Sequence, residues 1–245
     1  MQDMNKAILF GVGVGPGDPE LITLKAVNVL QEVDVVFAAA SSNNQHSLAV
    51  RIATTHVKQG TEVRLLSFPM TKDKAVTVPA WRENAREIKS VLDLGQNAAF
   101  LTLGDPMTYS TFGYILKQLQ DLDPGANIRT IPGICSHQAA AARLNTILVE
   151  DEESLVITSG ALGGEKLRGI SRCVENVVLF KAYRNTRDIN DAMEETGFLE
   201  NSVAVSKCSR EDEEIIRDVR TLEQRKPDYW TLVLAKKNGK KHSPV

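Results

Sequence analysis

The sequence predicts an α/β protein made of two lobes with a cleft between them. Three observations predict this fold class. Apolar, β-branched runs alternate with segments of helical period, and the acidic stretch at Val149–Ser154 interrupts the alternation before a second α/β series begins. The length of 245 residues also suffices for two lobes of roughly 100–150 residues each. The N-terminal lobe is therefore expected at residues 1–147 and the C-terminal lobe at residues 148–245.

The first lobe has a regular strand–helix order. Because a strand that is followed by a crossover helix and another strand forms a parallel pair, this order predicts a mostly parallel sheet. Ligands of such sheets bind at the carboxyl ends of the strands. The predicted strands are AILFGVGV, VDVVFAAA, TEVRLLSF, NAAFLTL and NIRTI, and the predicted helices lie near Thr23–Glu32, Ser47–Lys58, Trp81–Leu94, Thr111–Leu122 and Ser136–Leu144.

The second lobe is expected to be a shorter α/β series. Its apolar runs are again bounded by turn-forming residues, and a segment of helical period lies between two of these runs. The predicted order is strand SLVITSG, a short helix, strand ENVVLFKAY, a helix near Asp188–Thr196, then strands SVAVSKCS and YWTLVLAKK.

Composition excludes several classes of function. A net charge of −2 provides no electrostatic attraction for nucleic acid, and no run of 18 apolar residues is present that would span a membrane. The three cysteines form no CxxC pair and the four histidines have no paired spacing, so no disulfide framework and no protein-bound metal are expected. Residues 1–6 contain no apolar signal core, which favours the cytoplasm. A small-molecule ligand is the remaining expectation.

The first strand runs into a glycine-rich loop, GVGVGPGDPELITLKA, at residues 11–26. The dinucleotide fingerprint GxGxxG fails here, because its third glycine falls on Pro16 or on Asp18, and no Lys-Ser/Thr pair completes a P-loop. Asp18 is suited to cap a helix that has Pro19 at its first position. The glycines permit positive φ and close approach of another molecule, or they serve only a tight turn.

Two further strand ends carry similar turns. LTLGDPMTYSTFGYI at residues 101–115 runs from a buried strand into Gly-Asp-Pro, and IPGICSHQAAAARL at residues 131–144 runs from a strand into Pro-Gly and an Ala-rich helix. In a parallel sheet these ends lie on one edge. We therefore expect three loops to expose main-chain N–H and C=O groups to one shared ligand.

The three motifs resemble those of the tetrapyrrole (corrin/porphyrin) methyltransferases, and the resemblance covers essentially the whole chain. The motif GVGVGPGD, LGDP with its downstream tyrosine, and PGICS carry it. Their long forms are most similar to the precorrin-2 or cobalt-precorrin-2 (cobalt-factor II) C-20 methyltransferases of cobalamin biosynthesis. The resemblance implies S-adenosyl-L-methionine (SAM) as cofactor, S-adenosyl-L-homocysteine as product, a tetrapyrrole substrate and a homodimer.

The resemblance also implies site residues. Relatives that methylate uroporphyrinogen III carry an Asp at the end of the second strand, where this chain has Ala39. Of the catalytic candidates, Asp105 is expected to bind the cofactor's polar parts or to take the proton lost from C-20, and Tyr109 to orient a ligand. The implied cofactor contacts are Pro16, Leu103, Gly104, Asp105, Thr108, Cys135, Ser136, Lys181, Ala204 and Thr231.

Plainer interpretations remain open for several of these residues. Asp105 is also typical of a turn before proline, and Tyr109 is equally suited to a core position. The eight carboxylates of the macrocycle favour guanidinium partners, for which Arg82, Arg86 and Arg184 are candidates; each is alternatively part of a solvated helix face. Two other functions remain: methylation of another ring position or another substrate, and a nucleotide-binding module without chemistry.

Overall fold

The computed structural model describes residues 6–41 and 47–237. The chain divides into two compact units, Met1–Cys135 and Ser136–Val245, and each has its own five-stranded sheet. The α/β class predicted from the sequence is confirmed in both units.

The sheet of the first unit is entirely parallel, as the strand–helix order predicts. Its strand order is β3-β2-β4-β1-β5, so β1 lies between β4 and β5, which are both distant from it in sequence. The strands are β1 (Ile8–Gly13), β2 (Val35–Ser41), β3 (Glu62–Phe68), β4 (Ala98–Thr102) and β5 (Asn127–Ile131), and the helices are α1 (Leu24–Leu30), α2 (Leu48–Ala53), α3 (Lys74–Asp93) and α4 (Phe112–Leu122).

Helices cover both faces of this sheet. Alternate residues of β4 belong to different cores: Ala99 and Leu101 pack with α1 and α2, whereas Ala98 and Phe100 pack with α3 and α4. Strands buried on both faces are expected to be apolar throughout rather than alternating. The uninterrupted apolar run of β4, which is buried at every position, follows from this three-layer arrangement.

Helix α3 begins earlier than the sequence predicts. The sequence predicts a start near Trp81, after the polar segment MTKDKAVTV. In the structure Asp73 caps the helix, with its carboxylate accepting from the Ala75 amide at 2.8 Å, and Pro79 lies inside it. Packing of α3 against β3, β4 and α4 outweighs the hydrogen bond that Pro79 removes.

The expected helix start at Asp18 is only partly correct. Asp18 accepts from the Glu20 amide at 2.9 Å, and Pro19 opens a single 3-10 turn, Pro19–Leu21. The regular helix α1 starts later, behind its own cap Thr23. A short turn therefore separates the glycine-rich loop from α1.

The second unit has a mixed sheet in the order β6-β7-β10-β8-β9, in which only β6 and β7 are parallel. The hairpin strand β9 lies in the charged segment EDEEIIRD, and the sequence analysis missed it. The strands are β6 (Leu155–Ser159), β7 (Asn176–Phe180), β8 (Ser202–Ser206), β9 (Glu214–Ile216) and β10 (Thr231–Lys236), and the helices are α5 (Ser136–Arg143), α6 (Glu165–Ile170) and α7 (Thr186–Thr196).

The division between the units lies before α5, not at residue 148 as the acidic stretch suggests. The contacts of α5 explain the difference. It packs against β10, its His137 ring meets the Phe180 ring edge-to-face at 5.6 Å, and Arg143 pairs with Glu213 at 3.4 Å. Tertiary packing therefore assigns this helix to the second sheet.

Candidate active site

Three loops meet at one edge of the first sheet because their strands are neighbours. Gly13 at the end of β1 is paired with Thr102 of β4, and Val12 is paired with Ile131 of β5. Parallel neighbours end at the same edge, so the segments that follow them are adjacent. We name these segments the glycine loop (residues 14–18), the GDP loop (residues 103–111) and the PG loop (residues 132–135), and together the three-loop edge.

Main-chain hydrogen bonds join the glycine loop to the GDP loop. The Gly104 amide donates to the Gly15 carbonyl oxygen at 2.7 Å, and the Gly15 amide donates to the Gly104 carbonyl oxygen at 3.4 Å. Both residues have positive φ, +82° at Gly15 and +68° at Gly104. Residues with a Cβ atom adopt this backbone conformation only with strain. The two glycines thus permit an isolated antiparallel bridge between the loops that follow the parallel strands β1 and β4.

Two other glycines let the loops touch one another. A Cβ atom on Gly13 would lie 2.5 Å from the Gly104 carbonyl oxygen, and one on Gly133 would lie 2.1 Å from that same oxygen. The backbone exposed by these glycines is therefore covered by other backbone of the same chain. From the sequence, glycines at these strand ends are explained either by close approach of a ligand or by a tight turn. The structure shows a third explanation, which is the packing of one loop against another.

The space beside Gly104 is different. A Cβ atom there would meet nothing closer than the Ile134 carbonyl oxygen at 3.9 Å and the Cα of Cys135 at 4.0 Å. These are ordinary van der Waals distances, so a single carbon atom fits beside the Gly104 main chain without a clash. Gly104 therefore differs from Gly13 and Gly133, whose Cβ positions are blocked by backbone.

Asp105 connects the GDP loop to the PG loop. One carboxylate oxygen accepts from the Gly133 amide at 3.1 Å, and the other accepts from the Met107 amide at 2.8 Å and from the Thr108 hydroxyl at 3.4 Å. Hydrogen bonds to a charged acceptor are stronger than neutral ones. Asp105 therefore forms the expected turn before Pro106 and also fixes a neighbouring loop.

Cys135 is a buried thiol at this edge. Burial and the nearby Asp105 carboxylate raise its pKa, although a hydrogen bond with Thr108 opposes the shift. The thiol therefore stays protonated at neutral pH and is a poor nucleophile. Its neighbour Ser136 is the first residue of α5 and belongs to the second unit.

The remaining predicted residues of the first unit differ in exposure. Pro16 is buried, and Leu103 packs against the core formed with α1 and α2. Tyr109 is 55% exposed and has a left-handed backbone with φ of 50°. Its exposure rules out the core position that was the alternative to ligand contact.

Besides Ser136, the second unit contains three predicted cofactor residues, and the structure brings two of these three together. Lys181 follows β7 with φ of 59°, and the next amide, that of Ala182, donates to the Thr231 carbonyl oxygen at 2.9 Å. Ala204 instead lies inside β8, fully buried and paired with Val233 on one side and Ile216 on the other. Lys181 and Thr231 share one edge, and Ala204 lies within the sheet.

The three candidate arginines lie on exposed surface. Arg86 is paired with Glu83 on the same helix at 3.0 Å, whereas Arg82 forms no ion pair within the part of the chain that the structure describes. Arg184 places its guanidinium carbon 4.9 Å from the centre of the Tyr183 ring. Of these three arginines, Arg82 and Arg184 are therefore the two that form no ion pair with the described residues.

Sequence reasoning missed the structural role of Gly13 and Gly133. Gly13 ends β1, and Gly133 follows the end of β5. The signal for their packing role would have been that the two glycines stand at matched positions on neighbouring strands. Strand order is needed to recognise it.

Among residues 6–41 and 47–237 no helix is long and apolar enough to cross a membrane, and no three His, Cys, Asp or Glu side chains are grouped as a metal site.

Comparison with known proteins decides the family. The family model described as "Tetrapyrrole (Corrin/Porphyrin) Methylases" matches residues 9–223, a span that contains all three loops. The chain is a tetrapyrrole methylase. Its curated relatives include the cobalt-precorrin-2 C(20)-methyltransferase of Salmonella typhimurium, 28% identical over 94% of this chain and 96% of that protein. A probable enzyme of the same name from Methanocaldococcus jannaschii is 35% identical over 87% of this chain and 89% of the relative.

Solved structures of other tetrapyrrole methylases have the same fold. A cobalt precorrin-4 methyltransferase superposes with a TM-score of 0.73 at 25% identity, with 94% of each chain covered. The Thermus thermophilus uroporphyrin-III C-methyltransferase complexed with S-adenosylhomocysteine gives a TM-score of 0.65 at 21% identity, covering 94% of this chain and 97% of that one. The latter likeness shows the fold alone.

Proposed function

We propose that this tetrapyrrole methylase transfers the methyl group of SAM to C-20 of precorrin-2 or its cobalt form during cobalamin biosynthesis. The observation that carries the proposal is the three-loop edge, whose main chain is locked by its own glycines and by Asp105, and where the Cβ position of Gly104 is free of a clash. The curated relatives named as C(20)-methyltransferases align over most of the chain, which supports the ring position.

We propose that backbone groups at this edge supply most of the contacts to the cofactor. Leu103, Gly104 and Thr108 would hold it in the first unit, together with Cys135 at the end of the PG loop. Lys181 and Thr231 are the corresponding main-chain contacts proposed for the second unit. When bound, SAM supplies an electrophilic methyl group on a positively charged sulfur.

The chain's own contribution is alignment. The positive charge of the sulfonium disappears on methyl transfer, so a carboxylate placed against it would stabilise the reactant more than the transition state. Asp105 already uses both oxygens to hold the loops, and we propose that it positions the backbone rather than the methyl group. Correct placement of a carbon and a methyl group about 3–3.5 Å apart is sufficient for a large rate increase.

The function is tested by anaerobic incubation with methyl-labelled SAM and with either precorrin-2 or cobalt-precorrin-2. NMR of the product is expected to place the label at C-20, and comparison of the two substrates identifies the preferred one. Label at another carbon would contradict the proposed position. Absence of transfer to both, with the protein folded, would contradict the activity.

A second ring position is supported by a specific finding. The cobalt-precorrin-4 C(11)-methyltransferase of Methanocaldococcus jannaschii is 28% identical over 88% of this chain and 79% of its own length. A third incubation, with cobalt-precorrin-4 as substrate, separates the two, because NMR of a C-11 product would show the label on a different carbon. Transfer to cobalt-precorrin-4 alone would favour the second position.

The arginines of α3 are expected to bind substrate carboxylates. Exposed charge pairs contribute roughly 0–1 kcal/mol each, so replacing Arg82 and Arg86 by alanine should raise KM for the tetrapyrrole by about two- to tenfold and weaken its salt dependence. Most of the effect should come from Arg82, because Arg86 is paired with Glu83. The affinity for SAM should not change.

The exposed Arg51 of α2 serves as the control, since it lies on the opposite side of the sheet. Its alanine variant should keep the wild-type KM. If the double variant of α3 also keeps the wild-type KM and salt dependence, these arginines are simply a solvated helix face.

We also propose that the protein is a homodimer. Sedimentation equilibrium at micromolar concentration should then give twice the 26.9 kDa mass of one chain. A single species at the mass of one chain would contradict this proposal.

A further inference from the structure

A row of aromatic rings lies at the carboxyl end of β7, next to the start of β10. Tyr183 and Tyr229 meet edge-to-face with their ring centres 5.4 Å apart, and Tyr229 meets Trp230 in the same way at 5.2 Å. Tyr229 and Trp230 keep 38% and 41% of their surface exposed. We name Tyr183, Tyr229 and Trp230 the aromatic row; the sequence analysis assigned it no role.

Two cations lie against the aromatic row. The ammonium of Lys181 is 5.4 Å from the centre of the Tyr229 ring, and the guanidinium of Arg184 is 4.9 Å from the centre of the Tyr183 ring. Cation–π contact keeps a side chain over a ring without neutralising its charge. Arg184 also forms no ion pair within residues 6–41 and 47–237, so its charge remains available to an anion.

Backbone hydrogen bonds fix the segments that carry the row. The Ala182 amide donates to the Thr231 carbonyl oxygen at 2.9 Å, which ties the residue before Tyr183 to the residue after Trp230. The Asp228 carboxylate accepts from the Trp230 amide at 3.0 Å. Lys207 lies 3.8 Å from this same carboxylate and 2.9 Å from the carboxylate of Asp212. The segments that carry the rings are therefore fixed, and Lys181 and Arg184 are cations that lie against the rings themselves.

We propose that the aromatic row and its two cations bind the tetrapyrrole substrate, with the rings against the macrocycle and Arg184 and Lys181 on its carboxylates. This inference rests on the proposed function. A flat apolar ligand with anionic groups at its rim matches exposed aromatic rings flanked by cations. The methyl acceptor must also lie next to the cofactor, and Lys181 and Thr231, which adjoin the row, are proposed cofactor contacts.

Charge distinguishes the macrocycle from the other flat ligand available, the adenine of the cofactor. Adenine is uncharged at neutral pH and gains nothing from two cations, whereas a polycarboxylate requires several. Three ring centres separated by more than 5 Å also offer more surface than one purine covers. The occupant favoured by these observations is therefore the tetrapyrrole.

The test uses the full-length enzyme with SAM and cobalt-precorrin-2 or precorrin-2 under anaerobic conditions. Tyr229→Leu should raise the tetrapyrrole KM by about three- to tenfold, the effect expected for one lost aromatic contact, while Tyr229→Phe should retain the wild-type value. Arg184→Gln should raise KM and reduce its dependence on salt. The matched control is Arg172→Gln, an exposed arginine near the opposite end of β7, which should change neither.

Calorimetric titration with S-adenosyl-L-homocysteine separates the alternatives. Unchanged product affinity in Tyr229→Leu, together with a raised tetrapyrrole KM, is the expected result. Lost product affinity with an unchanged KM would assign the row to adenine and overturn the inference. Unchanged values for both ligands, in a variant with wild-type thermal stability, would make the row structural and equally overturn it. If the wild type does not methylate the tetrapyrrole at all, the proposed function itself fails.

Discussion

A valine at position 133 is expected to abolish SAM binding and to destabilise the first unit. A Cβ atom there would lie 2.1 Å from the Gly104 carbonyl oxygen and 2.8 Å from the Cα of Gly13, and both neighbours are backbone that is already hydrogen-bonded. Overpacking costs typically about 1–3 kcal/mol, and the upper end is expected here because the blocking atoms are backbone. Thermal unfolding of Gly133→Val and calorimetric titration with SAM measure the two effects.

Gly113→Ala provides the control for this prediction. Gly113 lies in α4, close in sequence to the GDP loop, and a Cβ atom there would meet nothing within 4 Å. Its replacement by alanine should leave SAM affinity unchanged and stabilise the helix by about 0.5–1 kcal/mol. Wild-type SAM affinity in a folded Gly133→Val would show that contact between the loops is not needed for the site.

Replacing Asp105 by alanine is expected to weaken SAM binding by about 30-fold or more. The change removes the acceptor of the Gly133 and Met107 amides and leaves both donors without their charged partner. Loss of hydrogen bonds to a charged group costs about 2–3 kcal/mol. If the loops must be ordered again when SAM binds, this cost lowers the affinity for SAM by about 30-fold or more. Titration with SAM and S-adenosyl-L-homocysteine measures the change.

Asp105→Asn separates positioning from proton transfer. Asparagine has one acceptor oxygen, whereas Asp105 uses two, so a positioning role predicts weaker SAM binding in this variant too. A role as the base that takes the C-20 proton predicts a lower kcat with unchanged SAM affinity. Asp73→Ala is the matched control, because Asp73 accepts from the Ala75 amide at 2.8 Å, as Asp105 does from Met107, but its carboxylate accepts no hydrogen bond from a second loop among the described residues.

Local sequence pattern was sufficient for most of the elements. The apolar runs predicted all five strands of the first sheet, because each run is short, apolar and bounded by turn residues. The pattern was wrong at the start of α3, where contacts with β3, β4 and α4 outweigh an interior proline. It also missed β9, a three-residue edge strand inside a charged segment, which forms by pairing with β8.

The sequence by itself determined that three strand ends carry turns rich in glycine and proline. The motifs at these turns also identified the chain as a tetrapyrrole methylase. Only the tertiary structure decided what those residues do, because β1 lies between β4 and β5 and not beside its neighbours in sequence. This order puts Gly13 and Gly133 against the Gly104 carbonyl and joins Asp105 to a loop 28 residues away. A local pattern contains the turn but not its partner, since hydrogen bonds and steric contacts depend on distance in space and not on position along the chain.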